Sequence, residues 1–480
     1  MITRRQFFED SLLASAAAAA AMQLGPTTTV GRAAAASDTI NAAILGCGIR
    51  GKQHVAALTR LSGCNVACVC DCDSERMGKL AEEARAAKGK SGGEVKTVAD
   101  MRRVFDDKAI DVVFVATCNH WHALAAIWAM QAGKHVYVEK PVSHNIGEGR
   151  RIVEVSRKTG RLAQAGTQRR SSRALAAAVE YMRQGKLGEV RLARSVIYGR
   201  RGSIGGPGEF QPPSSVDYDL WAGPAPMSPI TRPQFHYDWH WFWETGNGEL
   251  GNNNIHMADV CRWGLGVAGL GNRVVSIGGR FGYRDAAETP NTQIVVHDFG
   301  DKAIVQETRG LKSEGFGPKV DGGAIFYGSE GIIADTSLFD LDGKLVRTFE
   351  GGDGNHFQNF LDAVRSGDRE QLNAEILEGH QSTALCHVGN ISYRLGKPAG
   401  VDAVRAALAK LGVDDANDTF DRTVEHLAAN DVDLKDVPLR LGEVLTIDGP
   451  SESFAGNDRA NALLTRDYRK PFVVPSAAEI

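Results

Sequence analysis

Short apolar runs alternate with longer helical stretches through the N-terminal third of the chain. The runs at residues 40–46, 65–70, 111–117 and 135–138 have the length and the β-branched content of buried strands, and residues 52–61 and 123–132 have a helical pattern. Strands that alternate with helices in this way predict a parallel sheet covered by helices on both faces. Residues 161–168 complete this first domain, for which we predict the bounds 38–168.

The pattern changes after residue 169. An alternating run at 190–198 predicts the first strand of a second domain, and residues 199–233, rich in Gly and Pro, predict a long loop over the active site. Further strands are predicted at 304–308 and 324–326, with helices at 355–366, 374–395 and 401–411. We therefore predict a second α/β domain over 169–400 and an extension, 401–480, packed on it.

The N-terminal segment, 1–36, resembles a twin-arginine export signal. Arg4 and Arg5 precede a weakly hydrophobic, alanine-dominated stretch, and Ala34, Ala35 and Ala36 before Ser37 offer a small-residue cleavage site. The apolar stretch is shorter than the ~20 residues of a membrane-spanning helix, which argues against a permanent anchor. We expect the twin-arginine machinery to export the folded protein to the periplasm.

Composition narrows the function classes. The chain has 480 residues, 43% of them hydrophobic and 24% charged, and a formal net charge of -3. This is the mix of a globular protein, and its weakly acidic balance argues against nucleic-acid binding through bulk charge. Five of the eight cysteines lie between Cys47 and Cys72, at spacings that suit small buried residues better than a disulfide framework or a metal site, so no metal is expected.

The first strand runs into a glycine-rich turn. Gly46, Gly48 and Gly51 form G-x-G-x-x-G between this strand and a helix, the context in which the motif holds a pyrophosphate. Asp71 ends the second strand, at the spacing from Gly51 where a carboxylate accepts hydrogen bonds from an adenosine ribose; a turn or helix-cap role is the alternative. Asp71 favours NAD over NADP, although Arg76 could receive a 2'-phosphate.

Two further strands end in polar residues. The sequence TCNHWH (117–122) follows one of them and EKP (139–141) follows the other. Ligands bind at the carboxyl ends of strands in open α/β sheets. Lys140 at the end of a buried strand indicates a function, because Lys prefers water; a surface pair of Lys140 with Glu139 is the alternative.

These motifs, in this order, resemble the glucose-fructose oxidoreductase, inositol dehydrogenase and MocA family (Gfo/Idh/MocA). The resemblance covers most of residues 38–400 and rests on GCGIRG, Asp71, TCNHWH in place of T-P-N-x-x-H, EKP, GEV at 188–190 and the segment 252–259. It implies an N-terminal Rossmann domain, a C-terminal α/β domain with an open, mostly antiparallel sheet that often mediates homo-oligomers, and Lys140 beside the nicotinamide. The cofactor-binding residues that we assign are Gly46, Gly48, Ile49, Arg50, Gly51, Asp71, Thr117, Asn119, His122, Glu139 and Lys140.

The same resemblance implies the catalytic group. Aligned on His256, the family's D-x-G-x-H becomes Asn252 and Asn254 followed by His256, which keeps the proton acceptor but replaces the carboxylate with an amide. We expect Lys140 and His256 to handle the proton of a substrate hydroxyl, and Asn252 to orient that hydroxyl or the His256 imidazole by hydrogen bonding.

An aromatic segment, residues 236–244, points to the substrate. Three of the seven tryptophans lie within it, interleaved with polar residues that suit the apolar faces and hydroxyls of a sugar; burial between loop and domain is the alternative. The residues that we assign to the substrate are Arg169, Trp239, His240, Trp241 and Asp259.

The sequence therefore predicts an NAD-dependent oxidoreductase that transfers hydride from a sugar or polyol to a tightly bound cofactor. Tight binding is expected because an exported enzyme meets no pool of free NAD. A redox-neutral glycosidase that works through a transient keto-sugar and a non-catalytic sugar-binding protein are the two alternatives.

Overall fold

The computed structural model describes residues 39–88, 93–316, 322–413 and 415–480. The predicted export signal, 1–36, lies outside these residues. None of the described helices is long and apolar enough to cross a membrane.

The N-terminal domain is built on a six-stranded parallel sheet in the order β3-β2-β1-β4-β5-β6. This confirms the predicted Rossmann architecture. The strands are β1 (Ile40–Leu45), β2 (Cys64–Cys70), β3 (Lys96–Val98), β4 (Val112–Val115), β5 (His135–Val138) and β6 (Ala163–Ala165). The helices are α1 (Ile49–Leu58), α2 (Ser74–Lys88), α3 (Met101–Asp106), α4 (Asn119–Gln131) and α5 (Ile146–Thr159).

Helices cover both faces of this sheet, so its central strands are apolar throughout. All four residues of β4 are buried. Alternate residues of β1 belong to two separate cores, Ala43 and Leu45 to one and Ala42 and Ile44 to the other. The strand order reverses beside β1, between β1 and β4, and open α/β sheets bind ligands at such a switch point.

The second domain is built on a large mixed sheet in the order β14-β13-β12-β11-β7-β10-β9-β8-β16-β15, with β17 also paired to β8. Among the described strand pairs of this second sheet, only β7 and β10 run parallel to each other. The strands are β7 (Val190–Ile197), β8 (Arg273–Gly279), β9 (Thr292–Asp298), β10 (Ala303–Arg309), β11 (Gly322–Gly328), β12 (Gly331–Ala334), β13 (Ser337–Phe339), β14 (Leu345–Thr348), β15 (Lys397–Ala399), β16 (Leu439–Leu441), β17 (Leu445–Asp448) and β18 (Ser453–Phe454). The predicted mostly antiparallel sheet is confirmed.

Helices pack on both faces of this sheet. The remaining helices are α6 (Arg173–Arg183), α7 (Tyr218–Ala222), α8 (Ile255–Leu265), α9 (His356–Ser366), α10 (Ile376–Leu395), α11 (Val401–Leu411), α12 (Ala416–Ala428) and α13 (Asp458–Asn461). α8 and α10 contribute to the cores on one face. α11 and α12 pack on the other face, against β8, β9 and β10.

The C-terminal extension contacts both domains. It covers one sheet face with α11 and α12 and adds β16, β17 and β18 beside β8. Its last segment lies against the first domain, where Phe472 packs edge-on against Trp121 of α4. The sequence predicted only the contact with the second domain, because Phe472 and its neighbours show no periodicity that identifies a partner.

The predicted loop at 199–233 crosses from the second domain to the first. Together with residues up to 243 it forms the covering loop (199–243), whose regular structure within the described residues is α7 and a short 3-10 turn, Asp238–Trp241. Its contacts with the first domain position one wall of the site described next.

All eight cysteines are in the described residues and carry free thiols. Burial raises the pKa of each thiol, that of Cys64 and Cys68 to about 11 and that of Cys386 to about 12. Five of the eight are buried, as predicted, whereas Cys64, Cys72 and Cys118 are only partly buried.

Candidate cofactor and substrate site

A cavity of about 300 Å³ lies at the carboxyl ends of β1, β2, β4 and β5, closed on one side by the covering loop. It brings together ten of the eleven residues assigned to the cofactor; Gly51 lies beneath the turn. The assigned residues that line it are Gly46, Gly48, Ile49, Arg50, Asp71, Thr117, Asn119, His122, Glu139 and Lys140. Asn252, Trp239 and His240 also line it.

The three glycines have different roles in the turn. Gly46 has φ +93°, and a Cβ there would lie 2.4 Å from the carbonyl oxygen of Ala116. A Cβ on Gly51 would lie 1.9 Å from the carbonyl oxygen of Gly46. Gly46 and Gly51 are thus required by the backbone. A Cβ on Gly48 would meet only the Arg76 guanidinium, at 3.3 Å, so this glycine leaves the surface open toward the cavity.

α1 begins at this turn with Gly48 as its N-cap. No side chain of the described residues caps its first turn, and that turn contains no acidic residue. Its unpaired N–H groups and the positive end of the helix dipole suit a pyrophosphate. The side chain of Ile49 is 63% exposed at the mouth of the cavity, where a bound nucleotide would cover it.

Asp71 closes the ribose end. Its carboxylate accepts hydrogen bonds from the backbone N–H of Cys47, at 2.5 Å, and of Asp73, at 2.9 Å. Burial raises its pKa. Arg76 lines the same end of the cavity and pairs with Asp73 at 3.6 Å. The Asp71 carboxylate fits a ribose hydroxyl, as in NAD. The neighbouring Arg76 guanidinium could still receive the 2'-phosphate of NADP, the alternative that the sequence raised.

Glu139 binds the glycine-loop helix to the end of β5. Its carboxylate pairs with Arg50 at 2.5 Å and lies 2.9 Å from the Nε2 of His54. Burial alone would raise the pKa of Glu139, but His54 and Arg50 hold it well below its usual range. Sequence reasoning missed His54, because a histidine within a helix carries no signal for a partner 85 positions away.

His122 joins the ends of β4 and β5. Its Nδ1 lies 2.6 Å from the carbonyl oxygen of Pro141 and its Nε2 lies 3.0 Å from that of Thr117. Burial lowers the pKa of His122, although both carbonyl contacts oppose that shift, and these contacts fix the turn that carries Lys140. The buried hydroxyl of Thr117 has no partner among the described residues, which fits a hydrogen bond to a bound cofactor.

Lys140 lies at the other end of the cavity. Its Nζ donates to the backbone carbonyl of Asn252 at 2.5 Å, which contradicts the alternative of a surface pair with Glu139. Burial lowers the pKa of Lys140, although the Glu139 charge opposes that shift. A lysine with a lowered pKa can exchange a proton with a substrate hydroxyl.

Two histidines lie near Lys140. His240 lines the cavity, stacks on Trp239 with ring centroids 3.6 Å apart, and holds its Nδ1 against the carbonyl oxygen of Tyr237. His256 does not line the cavity, and its buried Nδ1 has no partner among the described residues. Burial and the Lys140 charge hold the pKa of both rings at about 3, so both are neutral.

Three residues assigned to the substrate lie outside this cavity. Arg169 pairs with Asp335 at 2.6 Å. The fully buried Asp259 accepts two hydrogen bonds of 2.9 Å from Arg170 and one of 2.6 Å from Ser382. Trp241 is buried beneath Arg201, which lies 5.4 Å from its ring centroid. These assignments stay predictions, and Asp259 would have to leave Arg170 in order to meet a substrate.

The covering loop supplies lining residues that the sequence did not identify individually: Leu220, Trp221, His236 and Tyr237. It bonds directly to the segment that follows β2, where the backbone N–H of Ser74 donates to Ser215 at 2.9 Å and that of Asp217 donates to Cys72 at 2.9 Å. His236 lies 3.0 Å from the Asp73 carboxylate. The aromatic residues within this Gly- and Pro-rich segment were the sequence feature that could have identified these lining residues.

The sequence matches two domain models of one family. Residues 40–167 match the oxidoreductase family with an NAD-binding Rossmann fold, and residues 208–426 match the C-terminal α/β domain of the same family. Together the two matches span most of the described chain.

Among curated relatives, inositol 2-dehydrogenase of Salmonella typhimurium is 29% identical over 180 residues, 37% of this chain and 50% of that protein. Levoglucosan dehydrogenase of Pseudarthrobacter phenanthrenivorans is 26% identical over 244 residues, 49% of this chain and 54% of that protein. The chain thus spans about half the length of the curated relatives that it matches.

Among solved structures, the WlbA dehydrogenase of Bordetella pertussis, in complex with NADH and UDP-GlcNAcA, has a TM-score of 0.54 at 19% identity. The similarity covers 72% of this chain and 94% of that one, and it shows the fold. The parallel sheet with its glycine turn, the mixed second sheet and both domain matches lead to one conclusion: the chain belongs to the Gfo/Idh/MocA family of oxidoreductases, whose N-terminal domain is an NAD-binding Rossmann fold.

Proposed function

We propose that the protein oxidises a hydroxyl group of a sugar or polyol with NAD held in the cavity. One observation carries this proposal: the glycine turn that follows β1 and the partly buried Lys140 that follows β5 line the same cavity. When bound, NAD would supply the hydride acceptor. The chain's own residues bind it, exclude water and hold the hydroxyl proton.

Lys140 is the group that we assign to the proton. In its neutral form its amine accepts the hydroxyl proton while the carbon gives up hydride, so the alcohol loses two electrons and two hydrogens and becomes a carbonyl. The lowered pKa of Lys140 favours that neutral form. The carbonyl oxygen of Asn252, at 2.5 Å, orients the Nζ.

Two histidines are candidates to take the hydroxyl proton on from Lys140. One is His256, which the sequence predicted as the proton acceptor, and the other is His240. The geometry favours His240 as the residue that meets substrate, because it lines the cavity and stacks on Trp239. The low pKa of each ring means that neither holds a proton for long at neutral pH.

The substrate class is supported by the relatives and by the lining. Two of the relatives are dehydrogenases named for inositol and for levoglucosan, both of which are rich in hydroxyl groups. In this chain, Trp239 and Tyr237 line the cavity together with Lys140, and aromatic rings suit the apolar faces of sugars.

The covering loop favours a cofactor that stays bound, because its contacts with Cys72 and Ser74 must break before the ribose end opens. A retained cofactor must be restored within each cycle. A second carbonyl substrate would do so in an oxidoreductase, and the transient keto-sugar would do so in a redox-neutral glycosidase. Sustained aglycone release without an acceptor, with deuterium from heavy water entering the sugar, would favour the glycosidase.

We also propose export by the twin-arginine pathway, on the evidence of Arg4, Arg5 and the alanine-rich stretch after them. Replacing both arginines with lysine should leave the protein in the cytoplasm of the cell that makes it, as cell fractionation would show. Unchanged export of this variant would contradict the proposal.

The test of the activity begins with the purified protein. Denaturation should release NAD or NADH, identified by mass, and single sugars or polyols should then change the reduced-nicotinamide absorbance of the native protein. Failure to bind added NAD, or a bound cofactor that no sugar or polyol reduces, would contradict the proposed function.

A further inference from the structure

A second cavity, of about 550 Å³, lies between the covering loop and the second domain. The loop contributes Arg201 and Gln234 to its lining, and the domain contributes Glu249 and Arg280. Its size lies within the range of about 300–1,000 Å³ that is typical of small-molecule sites. The function proposed above makes no use of it.

Tyr237 forms a wall that the two cavities share. Its φ of 70° is positive for a residue that is not glycine. The backbone N–H of Asp238 donates to the carbonyl of His236 at 2.9 Å across it, so Tyr237 is the centre of a γ-turn of the rare, strained kind. Strain of this type concentrates at functional sites, and here it lies in the residue at which the two cavities adjoin.

Side chains of both charges line the second cavity: Arg200, Arg201 and Arg280 together with Asp238 and Glu249. Arg201 pairs with Glu249 at 3.1 Å, and Arg280 makes two hydrogen bonds of 2.6 Å to Asp285. Two neutralised guanidinium groups do not attract an anion as free ones would. They still present donors and acceptors, and the buried Nε of Arg201 has no partner among the described residues. The cavity therefore suits a neutral ligand rich in hydroxyl groups.

Hydrogen bonds connect this cavity to the reacting end of the first. Glu249 accepts from the side-chain amide of Asn252 at 3.4 Å, and the backbone carbonyl of Asn252 accepts from Lys140. Arg201, on the other side of Glu249, also donates to the Tyr237 hydroxyl at 3.2 Å. A ligand group held by Arg201 would therefore be connected to Asn252, the residue that orients Lys140, through the single intervening side chain of Glu249.

We propose that the second cavity is a subsite for a second sugar unit, and that the substrate is a glycoside or disaccharide rather than a free monosaccharide. The inference rests on the proposed function. The unit that is oxidised would lie beside Lys140, and the attached unit would lie beyond Tyr237, among Arg201, Glu249 and Gln234. Binding of the remote unit would hold the reacting unit in place, which is how contacts far from the reaction raise turnover.

The test compares disaccharides with the monosaccharides that they contain: cellobiose and maltose with glucose, and lactose with galactose. For the native holoprotein we expect the second-order rate constant for reduction of the bound NAD, the kcat/KM of that half-reaction, to be at least about tenfold higher for one disaccharide than for its monosaccharide. Gln234→Trp, which places a large ring at the cavity, should lower that ratio about tenfold. Glu209→Trp, at an exposed position of the same loop outside the lining, should leave the ratio unchanged.

The results separate the two proposals. If sugars reduce the cofactor but every monosaccharide reacts as well as its disaccharide, the subsite is wrong and the proposed function stands. An unchanged ratio in Gln234→Trp that carries its full complement of nucleotide would also overturn the subsite. If no sugar or polyol reduces the bound cofactor of the native protein, the proposed function itself fails.

Discussion

At the glycine-loop end of the cavity, the groups that would meet the cofactor come from the turn at 46–51 and from Asp71 at the end of the next strand. At the lysine end, Lys140 meets Asn252 across 112 positions, and Tyr237 and His240 come from a third segment. The first end is mostly backbone shaped by one strand–turn–helix unit. The second end is mostly side chains held by contacts between domains. Cofactor binding and turnover should therefore respond to different substitutions.

The largest separation is expected for Lys140→Ala. Turnover should fall by about 10²–10⁴-fold, the scale of a positioned acid–base group, while the nucleotide stays bound because the glycine turn is untouched. Nucleotide content by mass and turnover on the best sugar are the two measurements. Loss of the nucleotide together with turnover would show that the two ends are not independent.

Gly46→Ala should disrupt nucleotide binding at the glycine-loop end of the cavity. At φ +93° the new Cβ would lie 2.4 Å from the Ala116 carbonyl oxygen, so the turn must shift and the free energy of unfolding should fall by about 3 kcal/mol. The purified protein should carry little nucleotide. Gly78→Ala in α2 is the matched control, because a Cβ there meets nothing within 4 Å, and denaturant unfolding should show no loss of stability.

Buried histidines provide a pH test. His256, with a pKa of about 3, and His297 of β9, with a pKa of about 4, are neutral when folded, but each takes up a proton near pH 6.5 when unfolded. The unfolded state then binds more protons, so stability is fully present above pH 6.5 and falls as the pH drops toward 4. Each such ring should contribute about 1.4 kcal/mol per pH unit to that fall in unfolding free energy.

His256→Gln and His297→Gln should therefore flatten the acid dependence of stability to a similar extent. The predicted role of His256 as proton acceptor requires that His256→Gln also lower turnover, whereas His297→Gln should not, because His297 contacts Gln306 in the second sheet. Equal turnover in the two variants would remove His256 from the reaction and leave His240 as the candidate.

The smallest effect is expected where the covering loop meets the first domain. Asp73→Asn removes the charge that pairs with His236 at 3.0 Å and Arg76 at 3.6 Å, so bound nucleotide should dissociate about tenfold faster. Glu75→Gln, which loses an exposed pairing with Lys79 at 3.7 Å, is the control and should leave the rate unchanged. Equal rates in both would show that the loop does not retain the cofactor.

The same contrast explains what the sequence predicted. The parallel sheet, the glycine turn and Asp71 were predicted correctly in position, because each depends on neighbours that are close in the chain. The lysine end was predicted only in part: Lys140 and Asn252 were identified through the family motifs, but not the 2.5 Å contact between them. Arg50 and His54 on Glu139, and Arg201 on Glu249, are pairings of residues far apart in the chain, which local patterns do not reveal.

Helices α11 and α12 also determine how the protein can be shortened. They bury apolar side chains of the second sheet, among them Val275, Ile277 and Val296. A chain cut after residue 400 would present that strip to water, and exposed apolar strips of sheet lead to aggregation. The same helices occupy the surface where a second copy could lie flat on β8, β9 and β10. A homo-oligomer, which the family resemblance predicts, could therefore not form by direct contact with those three strands, and designs for crystallisation or fusion should keep residues 401–480.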